Sequence, residues 1–182
     1  MWRRLCRMIL PALLPALLLA LPCHAAWAAE RADENEVKAA VIYNLLLFVQ
    51  WPPQATQAAG FHFCVLDEGA LTMALRRHEG KKVLGQTLDI RRIGTTPEEL
   101  DRCAAVMVEA GSAGLLARLG ALARTRALLV IAEGSNAVDR GAMIGLHTDG
   151  GRVTFDINYG AMKRSGLAPS SKILKLARTL IE

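Results

Sequence analysis

Aromatic residues make up only 5% of the chain, and nowhere do they interleave with a basic stripe, so the pattern of a nucleic-acid groove is missing. No G-x-G-x-x-G or G-x-x-x-x-G-K occurs to cradle a phosphate. The turn Asp67-Glu68-Gly69, which follows an apolar run, would repel one with its acids. No G-x-S-x-G elbow is present, and Ser112, Ser135, Ser165, Ser170 and Ser171 have no base beside them in sequence. Cysteine is limited to four residues, without the close paired spacing of zinc sites. These absences speak against an enzyme, a bound cofactor and a metal centre. Repeats and low-complexity linkers are also lacking, and 182 residues suit one domain with a full core.

The single long apolar run comes first. Arg3, Arg4 and Arg7 precede "ILPALLPALLLALP", and Ala26-Trp27-Ala28 then fits the small-x-small rule for cleavage. Residues 1–28 read as a secretory signal peptide, leaving 29–182 as the mature domain. Pro11 and Pro15 argue against an uncleaved anchor, and Pro22 argues against lipidation at Cys23. Removing this segment takes three arginines and no acids, so the formal charge falls from +5 to +2. Cys64 and Cys103 stay behind, an even number in an oxidising compartment. That favours a disulfide over two buried thiols.

The mature chain opens with "KAAVIYNLLLFVQWPP", residues 38 to 53. Asp33 is placed to cap a helix, with Glu36 three residues on. Val37, Val41, Asn44, Leu45 and Phe48 recur at helical spacing, predicting an amphipathic helix from Val37 to Gln50. It is too short and too polar to span a bilayer, and Trp51-Pro52-Pro53 ends it. Asn44, within that stripe, is expected to be a hydrogen-bonded buried amide.

"GFHFCVLD" and "GQTLDIRRIG" read as strands, and "CAAVMVEAGS" and "ALLVIAEG" as strands buried on both faces. Helical patterns fall between them. "GAMIGLHTDGGRVTFDIN" reads as two strands turning at Asp149-Gly150-Gly151. A helix is expected over the last residues, with Ile173, Leu174, Ala177 and Leu180 or Ile181 as its apolar stripe. This order predicts a single three-layer α/β domain. Its sheet is mostly parallel, with helices on both faces and a C-terminal antiparallel hairpin.

Few side chains stand out chemically. His62 and Cys64 share one face of a strand, and a structural role for both outweighs a nucleophilic pair. Asn158 ends a strand and is placed to cap the turn that follows. Around that turn Tyr159, Met162 and Leu167 accompany Lys163 and Arg164, as packing or as a partner-binding patch.

The segments "ENEVKAAVIYNLLLFVQWP", "FHFCVLDEG", "GQTLDIRRI", "LDRCAAVMV" and "GAMIGLHTDGGRVTFDINYGAMKRSGLAPSSKILKLA" follow one another along nearly the whole mature chain. In this order they resemble the YfiR family. The resemblance implies a periplasmic repressor that binds the periplasmic part of a membrane diguanylate cyclase of the YfiN type. Binding holds the GGDEF domain inactive and lowers cyclic-di-GMP and biofilm output. It further implies a homodimer and a redox-responsive disulfide, with Cys64 and Cys103 where the family places one pair. A second pair, near the "GAMIGLH" strand in some members, has no counterpart here. The alternative is a periplasmic small-molecule binder or accessory to another membrane receptor. Its ligand would sit in a crevice at the carboxyl ends of the strands, near Asp67, Glu68, Glu109 and Glu133.

Overall fold

The computed structural model describes residues 23–53, 60–109 and 113–182. Most of the expected signal peptide, residues 1–22, lies outside them. The chain divides into two compact units, Met1–Glu34 and Asn35–Glu182.

The first helix, α1, runs Cys23–Phe48, followed by β1 (Val49–Gln50), β2 (Phe61–Val65), α2 (Ala70–Leu75), β3 (Lys82–Val83) and β4 (Gln86–Arg92). Then come α3 (Pro97–Leu100), β5 (Ala105–Val108), α4 (Ala113–Ala123), β6 (Leu129–Glu133) and the pair β7 (Ile144–Asp149) and β8 (Arg152–Asn158). The chain closes through α5 (Tyr159–Arg164), β9 (Ala168–Pro169), α6 (Ser171–Leu176) and β10 (Thr179–Ile181).

Eight strands form one sheet in the order β10-β8-β7-β6-β5-β2-β4-β3. Strands β4, β2, β5, β6 and β7 run parallel. The hairpin β7–β8 is antiparallel, as its Asp-Gly-Gly turn predicts, with Gly150 and Gly151 both at positive φ. A separate pair, β1 with β9, is antiparallel. The expected α/β class with a mostly parallel sheet is the one observed.

Burial explains the strands. All four residues of β5 are buried, as are Leu129 to Ala132 of β6, because helices cover both faces. Glu133 pairs with Leu146 across the sheet and reaches Lys38 of α1 on that side. On the opposite face a Cβ at Gly145 would meet Ala137 and Val138. That same turn crosses α4 so closely that a Cβ at Gly120 would lie 2.7 Å from the Gly141 carbonyl oxygen.

Four expectations are corrected. Helix α1 starts upstream, so Asp33 lies within it and does not cap it; its alanine-rich flank offers no stop. The helix also ends at Phe48, because Val49 and Gln50 pair with Pro169 and Ala168. The buried stripe is Lys38, Ala39, Ile42, Leu45 and Leu46, whereas Val37, Asn44 and Phe48 are exposed. Asn44 is therefore not a buried amide. Nearly every residue from Ala39 to Val49 is apolar, so two stripes fit the helical period, and the sheet takes the one without Asn44. At the other end the last helix stops at Leu176, and Thr179–Ile181 instead extend the sheet parallel to β8.

Candidate functional site

Cys64 of β2 is joined to Cys103, just past α3, with their Cα atoms 5.8 Å apart. Thr96 and Glu99 form a reciprocal capping box at the start of α3. Leu100 is buried behind it, so Thr96–Cys103 is held on the sheet by cap, core and bond. The bond closes a separation of 39 residues, which contributes about 4 kcal/mol on the chain-entropy model. Cys64 is only 1% exposed. Its sulfur is committed to the bond, which leaves no His62–Cys64 nucleophile.

His62 lines the cavities on either side of this strap, one of about 410 Å³ against Cys103 and one of about 520 Å³ against Cys64. Its Nδ1 lies 3.2 Å from Asp89 Oδ2 without hydrogen-bond geometry. Asp89 sits below its usual carboxylate range, first because Arg91 donates to it at 2.6 Å.

The crevice at the carboxyl ends of the strands is occupied by the protein's own groups. Glu109, just after β5, accepts from Thr72 N at 2.9 Å and Thr72 Oγ1 at 2.7 Å. It fills the space so fully that a Cβ at Gly69 would lie 1.8 Å from its carboxylate. Glu68 takes a hydrogen bond from Arg76 at 2.6 Å. Glu133 meets Lys38, itself 5% exposed, at 2.5 Å. The backbone carbonyl of Asp67 accepts from Thr72.

The C-terminal patch is split by burial. Met162 and Leu167 are buried at 0% and 1% exposure, so they pack the core and are withdrawn from the surface patch. Lys163 and Arg164 are exposed and Tyr159 is half-buried, with Lys163 Nζ 5.3 Å from the Tyr159 ring centre. Asn158 Oδ1 accepts from Ala161 N at 2.8 Å and caps α5. Beside it, buried Asp156 binds Arg178 through two hydrogen bonds, of 3.0 and 2.8 Å. Burial raises the Asp156 pKa, but Arg178 and Thr179 outweigh it and hold the carboxyl below its usual range. Trp51 is buried, donates from Nε1 to the Ala104 carbonyl at 3.1 Å, and meets Phe61 edge-on. Pro52 follows it at the half-buried end of the element.

Among the described residues, no group of three or more His, Cys, Asp or Glu is placed to hold a metal ion. Nor is any described helix long and apolar enough to cross a membrane.

The family model DUF4154, YfiR/HmsC-like, matches residues 35–178. The chain belongs to the YfiR/HmsC-like family. This family comprises periplasmic regulators of YfiN-type systems and is regulatory, not catalytic. No curated protein matches the chain. A solved structure of a conserved domain protein from Vibrio cholerae O1 biovar El Tor strain N16961 is similar in fold, with a TM-score of 0.51 and 13% identity. The match covers 80% of this YfiR/HmsC-like chain and 60% of that one.

Sequence reading missed the pairs Glu109–Thr72 and Lys38–Glu133. Their partners lie 37 and 95 residues apart, and no local spacing signals such a pair. Lys38 did carry one clue, a charge flanked by an apolar helical stripe.

Proposed function

We propose that this protein is an exported repressor, cut after Ala28, that binds the periplasmic part of an inner-membrane diguanylate cyclase and holds its cytoplasmic GGDEF domain inactive. The observation that carries the reading is the family match over residues 35–178. A disulfide-stapled domain suits the oxidising periplasm. Repression is then differential binding: the protein shifts the cyclase only as far as its affinities for the two cyclase states differ. Lys163, Arg164 and the open side of Tyr159 are the proposed contact, extended by exposed Leu180 on β10. That strand is adjacent, since Gly160 of α5 backs onto Glu182. The repressor acts as a homodimer, and reduction of Cys64–Cys103 alters its affinity by loosening the α3 strap.

The alternative reading, a small-molecule binder using the carboxyl-end crevice, loses its support because Glu68, Glu109 and Glu133 are each bound internally. The deciding experiment is a titration of the oxidised mature protein against the cyclase's periplasmic domain. Saturable binding that weakens at least tenfold in Lys163→Glu with Arg164→Glu is expected. Absence of binding, or capture of an unrelated receptor from membranes in its place, would overturn the reading.

A further inference from the structure

We propose that the cavity of about 410 Å³ beside the disulfide is a binding site for a small oxyanion, a carboxylate or phosphate group on a free ligand. The inference is independent of the cyclase partner. Arg126 and Arg102 both line this cavity, and Asp101 is the sole acid in its wall among the described residues. Asp101 Oδ1 is already engaged, 2.7 Å from Arg126 Nε. That contact fixes the guanidinium plane and leaves its outer nitrogens to face elsewhere. Arg102 is exposed, and among the described residues no acid lies within ion-pair distance of it. Two arginines therefore line one space in which the carboxylate of Asp101 is already engaged.

Guanidinium is the side chain suited to this task, because its fork matches the two oxygens of a carboxylate or phosphate. Buried Leu100 and Leu128 form apolar wall behind the cations. The cavity thus offers a polar mouth and a small apolar body, the usual make-up of a ligand pocket. It lies at the amino ends of β2, β5 and β6, the opposite end from the crevice that Glu109 closes.

The test uses the oxidised mature protein, with inorganic phosphate and propionate titrated separately and followed by calorimetry and by backbone amide shifts near Arg102 and Arg126. Saturable one-site binding of at least one probe is expected, with the stronger probe identifying the group recognised. Arg102→Gln and Arg126→Gln should each weaken it about tenfold or more, and Arg126→Lys should fail to restore it. Arg124→Gln, a charge change outside the cavity, should leave it intact. Arg102 is exposed, so its variant keeps the fold and the test stays decisive if Arg126→Gln unfolds. Non-saturating shifts with both probes, or the same loss in Arg124→Gln as in Arg102→Gln, would overturn the site.

Discussion

At the carboxyl ends of β2, β5 and β6, Glu68, Glu109 and Glu133 each meet a partner from their own chain. At the amino ends of the same strands, two arginines line a cavity whose one acid is already engaged. In open α/β sheets the ligand crevice ordinarily lies outside the carboxyl ends. Here Glu109 takes the position a ligand group would occupy, and the unmet hydrogen-bonding capacity moves to the disulfide end. The lesson is that a fold supplies candidate places, and side-chain pairing decides which stays open.

Breaking the disulfide end should cost most. Replacing Cys64 and Cys103 together by serine is expected to lower unfolding free energy by about 4 kcal/mol, read from urea denaturation. At the closed end, Lys38→Ala removes a buried cation and leaves the half-buried Glu133 carboxylate unpaired by it, and a loss of about 2 kcal/mol is expected in the same assay. Glu109→Ala leaves Thr72 N without its acceptor, while Thr72 Oγ1 keeps the Asp67 carbonyl, and should cost about 2 kcal/mol, with Glu109→Gln retaining part of it. If Glu109→Ala is neutral, the crevice is not sealed by that carboxylate and the contrast between the two ends fails.

Acid titration extends the comparison to the sheet edge. The folded Asp156 carboxyl is held below its ordinary range, so its contribution is present above that range and is lost as pH falls through the lowered value. Asp156→Asn should remove about 1 kcal/mol at neutral pH and flatten the stability profile below about pH 4. The smallest test pairs two asparagines. Asn158→Ala should cost about 1 kcal/mol as a lost cap, whereas exposed Asn44→Ala should change stability by less than about 0.5 kcal/mol.

How legible each part was follows from the range of the forces involved. The buried strands Ala105–Val108 and Leu129–Glu133 announce themselves as continuous apolar runs, because both faces are covered. The Asp149-Gly150-Gly151 turn is local chemistry and reads directly. Register on α1 did not, since Ala39 to Val49 is apolar on more than one side and only the sheet chooses the face. Leu180 and Ile181 looked helical by spacing, yet β8 offered an open edge that Thr179–Ile181 could pair with. The Asp101–Arg126 contact, like Lys38–Glu133, joins residues that only the topology brings together.

The central claim is repression of a membrane cyclase. Its most direct measurement is cyclic-di-GMP production by membranes carrying the partner cyclase, with and without the purified, oxidised mature protein. Output is expected to fall in proportion to added protein and to recover with Lys163→Glu and Arg164→Glu together. Undiminished cyclic-di-GMP output at saturating protein would contradict it.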